Sequence, residues 1–110
     1  MTFTFNKRVF LTDAEGFLED MSLWNQEIMH EMARLDGLEL TDRHIIIIKT
    51  VRDYYEKFNT TPPMRSLIAY LKQQGLTDLS SSMALAALFP DGAAKSAAKY
   101  AGLKKPVKCV

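Results

Sequence analysis

The chain ends in AGLKKPVKCV, and its most reactive side chain is Cys109, the only cysteine, one residue from the C-terminus. Lys108 lies beside Cys109, and Lys104 and Lys105 come shortly before it. The thiolate is the nucleophilic form of cysteine, and neighbouring cations favour that form. These residue types predict sulfur chemistry at Cys109, with the three lysines as helpers. From the residues alone, an incidental terminal cysteine without a role is an equally open interpretation.

Other kinds of catalytic or metal site have little support in the sequence. His30 and His44 are the only histidines, and neither has the partners of a zinc site, which takes about four nitrogen or sulfur ligands. We therefore expect both histidines at surface positions on helices, and neither a metal nor another cofactor. A glycine-rich phosphate loop and a Ser/His/Asp arrangement are also missing. Because no base or oxyanion hole accompanies Cys109, the sequence favours a carrier over a self-contained enzyme.

The elements that must position Cys109 are mainly helical. Phe3 and Phe5 alternate with threonines ahead of Asn6-Lys7, which predicts an N-terminal β-hairpin. Capping residues and apolar spacing then predict successive helices. The expected fold is a small helical bundle with an N-terminal β-hairpin over residues 1–102, followed by a flexible C-terminal arm, 103–110. The predicted helices start near Asn25, Thr41, Thr61, Ser80 and Ala93, and end near Gly37, Phe58, Gly75, Phe89 and Gly102.

Composition and length limit the class of protein. A chain of 110 residues that is 47% hydrophobic and 25% charged is typical of one globular domain. No apolar run approaches the roughly 20 residues that a membrane span needs, and the N-terminus lacks a signal-peptide layout. One cysteine cannot form an intramolecular disulfide. We therefore expect a reducing compartment, the cytoplasm, and no membrane partner.

The net charge of +1 is unevenly distributed. Residues 1–90 hold 9 Lys and Arg against 12 Asp and Glu, a balance of −3, whereas residues 91–110 hold 5 Lys against one Asp, a balance of +4. A basic tail on an acidic body suggests that the tail meets an anionic partner, or that its lysines act on Cys109. Lysines that merely keep a terminus soluble explain the same pattern. The acidic cluster Glu15, Glu19 and Asp20 is expected to favour the positive end of a helix.

The predicted helix over residues 42–58 raises a separate possibility, nucleic-acid binding. Tyr54, Tyr55 and Phe58 share that helix with Arg52 and Lys57, so base stacking and phosphate contacts are conceivable. Aromatic residues at helical spacing more commonly form core, and we expect that here. The segment 41–75 also has the layout of a helix-turn-helix, but its cations are few and the body is acidic, which disfavours phosphate binding.

Two stretches resemble a known family. The run LFPDGAAKSAAKYAGLKKPVKCV, residues 88–110, and the run VRDYYEKFNTTPPMRSLI, residues 51–68, are similar to the TusE/DsrC family of sulfur-relay proteins. With the hairpin and Trp24, the similarity extends over nearly the whole chain. It implies a helical fold with an N-terminal hairpin and a mobile arm. It also implies that Cys109 accepts sulfane sulfur as a persulfide.

The resemblance further implies partners and a subtype. One branch of the family uses a second arm cysteine eleven positions before Cys109, where this chain has Ala98, so the chain looks like the single-cysteine TusE type. Such proteins accept sulfur from an upstream relay complex and pass it to the tRNA 2-thiouridylase of the wobble uridine, so tRNA is an indirect partner. A carrier of this kind is classed as a sulfurtransferase. Lys95 and Arg65 are further candidates for partner docking. The alternative is a non-catalytic partner or regulator of a sulfite-reductase-type enzyme.

Overall fold

The hairpin opens the fold. A computed structural model describes residues 1–106, in which β1 (Thr2–Phe5) pairs antiparallel with β2 (Arg8–Leu11). The two turn residues, Asn6 and Lys7, have φ of 52° and 65°. Positive φ at both positions lets a two-residue hairpin turn match the right-handed twist of its strands. The rings of Phe3 and Phe10 stack with centroids 5.1 Å apart on the inner face. The predicted hairpin is therefore confirmed.

Five α-helices follow within residues 1–106, and they confirm the mainly helical fold class. Asn25 caps the first of them, as predicted, since its Oδ1 accepts from the Ile28 N–H at 2.9 Å. Short 3₁₀ turns at Met21–Leu23 and Thr77–Leu79 join neighbouring elements. No helix among these residues is long and apolar enough to cross a membrane. The helices are α1 (Gln26–Leu35), α2 (Asp42–Phe58), α3 (Met64–Gln73), α4 (Ser82–Leu88) and α5 (Ala93–Tyr100).

The last helix, α5, lies at the centre of the bundle. It contacts α1, α2, α3 and α4, and its residues Ala93, Ala97 and Ala98, with Ala101 just beyond its end, are fully buried. Small side chains let neighbouring helices approach closely, so the alanine-rich composition suits a central position. Ile48 and Val51 of α2 are buried in the same core cluster. The segment before the cysteine is thus anchored in the core rather than attached to its rim.

His44 is not at the surface, and that expectation was wrong. Its side chain lies at the start of α2 in a residue only 6% exposed, and its ring packs edge-on against Phe89. The Nδ1 atom accepts from the Thr41 N–H at 3.1 Å, so the ring proton lies on Nε2, which donates to the Leu88 carbonyl at 2.7 Å. His44 therefore joins the start of α2 to the end of α4. His30 is exposed on α1, as expected.

The aromatic residues of α2 divide between core and surface, so the expectation that all three form core was partly wrong. Tyr55 packs against the core, but Phe58 is 54% exposed. Residues 56–60 are all exposed, because the last turn of α2 extends beyond the core. Tyr54, Phe58 and Tyr70 of α3 instead contact one another, with ring centroids 4.6 to 6.1 Å apart.

His44→Ala should destabilise the protein by about 2–3 kcal/mol, because it leaves the Leu88 carbonyl and the Thr41 N–H without their partner and opens a cavity in place of a buried ring. His30→Ala is the matched control, a histidine of exposed α1 surface, and should change the free energy of unfolding by less than about 0.5 kcal/mol. Urea denaturation followed by circular dichroism measures both. Equal effects of the two substitutions would contradict the bridging role of His44.

Candidate functional site

The C-terminal end of α5 is closed by a glycine. Gly102 has φ of 72°, its N–H donates to the Lys99 carbonyl at 3.1 Å, and the Leu103 N–H donates to the Ala98 carbonyl at 3.0 Å. This pair of bonds is the Schellman arrangement, which needs a left-handed residue after the helix. Leu103 then places its side chain in the core. The direction of the chain that leads to Cys109 is therefore set at residues 100–103.

Trp24 covers this helix end. Its Nε1 donates to the Tyr100 carbonyl at 2.7 Å, which satisfies one of the free carbonyls of the last turn. The ring also lies so close to Gly102 that a Cβ at that position would be 2.5 Å from the Trp24 Cδ1 atom. Glycine is thus required at residue 102 both for its left-handed conformation and for its lack of a side chain.

Arg52 of α2 also holds this helix end. Its guanidinium carbon lies 3.7 Å from the centroid of the Trp24 ring, a cation–π contact, and its Nη1 donates to the Ala101 carbonyl at 2.6 Å. Burial lowers the pKa of Arg52 below its ordinary value, opposed by Glu56. Arginine stays charged far above neutral pH, so the contact persists. We refer to these two residues as the Trp24–Arg52 pair.

Residues Leu103–Pro106, the arm root, continue along the body. The buried Thr61, between α2 and α3, donates its hydroxyl to the Lys104 carbonyl at 2.8 Å. The Lys105 ammonium pairs with the carboxylate of Glu15, which follows the hairpin. The first residues of the segment predicted as an arm are therefore held by three separate parts of the domain: the core around Leu103, Thr61 and Glu15. The domain boundary between residues 102 and 103 stays a prediction.

The predicted site residues have different outcomes. Cys109 and Lys108 lie outside the described residues. Lys105 and Lys95 meet at one carboxylate, because both pair with Glu15, whereas Lys104 is exposed. Arg65 is exposed in the first turn of α3, and no ion pair within residues 1–106 joins it to these lysines.

Sequence reasoning missed how four residues act at this site. Glu15 was expected to favour a helix end, but it binds two lysines instead. Thr61 was considered as a helix start, Arg52 as a possible phosphate contact, and Trp24 as part of the resemblance, none of them as a contact of the C-terminal segment. The sequence held one local signal for this site: the chain has a single tryptophan, and a glycine, Gly102, comes directly before the predicted arm. No group of three metal-ligating side chains occurs in the part of the chain that the structure describes.

Comparisons with known proteins find relatives over nearly the whole chain. Residues 4–110 match the family model described as "DsrC like protein". The sulfurtransferase TusE of Pectobacterium atrosepticum is 40% identical over 106 residues, which cover 96% of this chain and 97% of that protein. The sulfurtransferase TusE of Escherichia coli K12 is 39% identical over 99 residues, 90% of this chain and 91% of that protein.

Solved structures of DsrC proteins share the fold. The NMR structure of DsrC from Allochromatium vinosum superposes with a TM-score of 0.88 at 37% identity and covers 99% of this chain and 97% of that one. The crystal structure of the oxidized gamma-subunit of the dissimilatory sulfite reductase (DsrC) from Archaeoglobus fulgidus gives a TM-score of 0.83 at 32% identity, with both chains fully covered.

Gly102→Ala should cost more stability than Gly75→Ala. Both glycines have left-handed φ, 72° and 79°, so either alanine costs about 1–2 kcal/mol of backbone strain. A Cβ at residue 75 meets no atom within 4 Å, whereas at residue 102 it strikes Trp24. The collision should add about 1–3 kcal/mol. Urea denaturation compares the two variants, and equal losses would show that Trp24 does not constrain Gly102.

Proposed function

The chain belongs to the DsrC-like family, and we propose that within it the protein is a sulfur carrier that accepts sulfane sulfur as a persulfide on Cys109. The observation that carries the proposal is the near-complete alignment, at about 40% identity, with relatives named sulfurtransferase TusE. The family match runs to residue 110 and so includes Cys109. No cofactor is needed for this chemistry.

The transfer balances without an outside oxidant. The Cys109 thiolate attacks the outer sulfur of a donor persulfide, R–S–SH, and forms a new S–S bond. The old S–S bond breaks, and its electron pair leaves with the donor as a thiolate, R–S⁻. A cysteine of the acceptor then takes the outer sulfur in the same way and regenerates the Cys109 thiolate. Each step is the sulfur-to-sulfur displacement of thiol–disulfide exchange.

The arm root supports a carrier by fixing where the sulfur starts from. Cys109 comes three residues after Pro106, and an extended chain advances at most about 3.3–3.6 Å per residue. The region that Cys109 can visit is therefore centred near Pro106, and it is smaller than the region that eight free residues would reach. A partner must approach this end of α5, where Lys104 and Lys105 are exposed. Lys108 is also close in sequence, and it can favour thiolate and persulfide anions.

We assign the acceptor as a tRNA 2-thiouridylase and the donor as an upstream sulfur-relay complex. This assignment is what the resemblance to the single-cysteine TusE type implies, and it makes tRNA an indirect partner and the cytoplasm the expected compartment. Ala98 supports it as well. The resemblance implies that the two-cysteine branch of the family has a cysteine at that position, and here a fully buried alanine of α5 occupies it.

A second candidate is a non-catalytic partner of a sulfite-reductase-type enzyme. The observation in its favour is the fold match to a gamma-subunit of dissimilatory sulfite reductase. That candidate predicts that a loaded protein keeps its sulfur when mixed with a tRNA 2-thiouridylase. The carrier proposal predicts loss of the sulfur to the thiouridylase.

Cys109→Ser should abolish sulfur loading and leave the fold intact. Incubation with a cysteine desulfurase, cysteine and the upstream relay protein should add about one sulfur atom to the wild-type mass, a gain that reductant removes. Cys109→Ser should show no gain, and its free energy of unfolding should change by less than about 0.5 kcal/mol. Intact mass spectrometry and urea denaturation give the two readouts. A wild-type protein that gains no sulfur, or a serine variant that does, contradicts the proposal.

A further inference from the structure

We propose that Lys95 and Lys105 form a docking surface for a protein partner that presents carboxylates, and that Glu15 occupies this surface until the partner displaces it. The inference rests on the proposed function, since the partner is the protein that gives or takes sulfur at Cys109. It adds the surface that meets this partner, and a residue, Glu15, that opposes docking.

One carboxylate of the protein bridges two lysines from separate elements. The Glu15 Oε2 atom pairs with the ammonium of Lys95 on α5, and its Oε1 atom pairs with the ammonium of Lys105 in the arm root. The side chains of Lys95, Lys105 and Glu15 are 52%, 48% and 36% exposed, so a partner can contact all three. The site that Glu15 fills is therefore already shaped for a carboxylate that arrives from outside.

Glu15 is held over the lysines by a tight turn. The Asp13 carboxylate accepts the N–H groups of Glu15 and Phe17 at 2.9 and 3.0 Å. Gly16 has φ of 91° and lies against the side chain of Lys99, where a Cβ would be 2.7 Å from the Lys99 Cε atom. The turn thus packs directly on α5. The Glu15 side chain projects from this turn over Lys95 and Lys105 and does not pack in the core.

Lys99 is not part of the exchangeable surface, although it lies one turn after Lys95. Its ammonium donates to Asp36 at 2.8 Å, the Tyr100 hydroxyl donates to the same carboxylate oxygen at 2.8 Å, and the Lys99 side chain is only 17% exposed. This pair is fixed within the protein. Beside it lies a surface cleft of about 350 Å³ that leaves room for an incoming side chain; it is bordered by Lys95 and Lys99 and by the carboxylates of Glu15, Asp36 and Asp91.

The exposed contacts of Glu15 are weak enough to exchange. Ion pairs between solvent-exposed side chains contribute little to stability, and salt screens them. A partner with several carboxylates can therefore replace Glu15 at both lysines and add a contact to the exposed Lys104. Charges at the rim of an interface act mainly on the association rate and its salt dependence. Loss of Glu15 should then strengthen docking.

A protein partner fits this surface better than RNA. The body that surrounds the lysines is acidic, since residues 1–90 hold 9 Lys and Arg against 12 Asp and Glu. An extended polyanion would be repelled along most of its length, because affinity for phosphate backbones needs many cations in a stripe. A folded partner can present a few carboxylates at Lys95 and Lys105 alone.

The test is a titration with dye-labelled hexaglutamate as the acidic probe, followed by fluorescence anisotropy at low ionic strength. Glu15→Gln should bind about two- to fivefold more tightly than wild type. Glu19→Gln is the matched control, because it removes the same charge four residues further along the chain. The Glu19 side chain is exposed and has no ion pair in the described residues. Adding Lys95→Gln and Lys105→Gln to Glu15→Gln should remove the gain, and about 0.3 M salt should suppress it.

Equal affinities for Glu15→Gln and Glu19→Gln would overturn the proposal, because the effect would then be net charge alone. A gain that persists without Lys95 and Lys105 would overturn it as well. Labelled hexauridylate is titrated in parallel. If Glu15→Gln raised the affinity for that probe alone, the proposed protein partner would be wrong and RNA would be the partner instead. The titration involves no sulfur and does not need Cys109, so its failure is distinct from a failure of the carrier proposal.

Discussion

The contact between the Trp24–Arg52 pair and the end of α5 is the constraint on which the rest of this structure depends. Trp24 precedes α1 and Arg52 lies in the middle of α2, yet both donate to carbonyls of consecutive residues, Tyr100 and Ala101. The guanidinium stacks on the indole, so each side chain holds the other in position. Helix ends leave carbonyls without partners, and a buried one is costly unless a side chain supplies the bond. Two long-range donors thus stabilise the helix end and fix its place among the other helices.

The same constraint bears on the proposed sulfur chemistry, because it fixes where the segment that leads to Cys109 begins. A helix at the rim of a bundle would transmit little order to the chain after it. Here α5 is central, Leu103 returns to the core, and Thr61 holds the Lys104 carbonyl. These contacts hold the chain as far as Lys105, which pairs with Glu15. The proposed transfer of sulfur at Cys109 would then start from a defined point on the surface, which would help two different partners to find it. Orientation of reacting groups is a large part of catalysis, and a carrier of the proposed kind, without a catalytic base, would depend on its partners for the rest.

Local patterns in the sequence predicted the hairpin, the helices and their approximate ends, because capping residues and apolar periodicity act over a few residues. They could not predict contacts between distant segments. His44 looked like a surface residue because its partner, the Leu88 carbonyl, lies 44 residues away. The position of Phe58 depended on where the core stops, which helical spacing does not reveal. The basic tail looked available for an outside anion, but Glu15, from the other end of the chain, already binds Lys105.

The most direct test of the central claim is amide hydrogen exchange at Gly102 and Leu103 in wild type and in Trp24→Phe, which keeps an aromatic ring but removes the donor to Tyr100. The account predicts that these two amides exchange about tenfold faster in the variant, through local opening of the helix end. The amide of Ile48, in the interior of α2, should change much less. Unchanged exchange at Gly102 and Leu103, or an equal increase at Ile48, would contradict the account, because Trp24 would then act only as ordinary core packing.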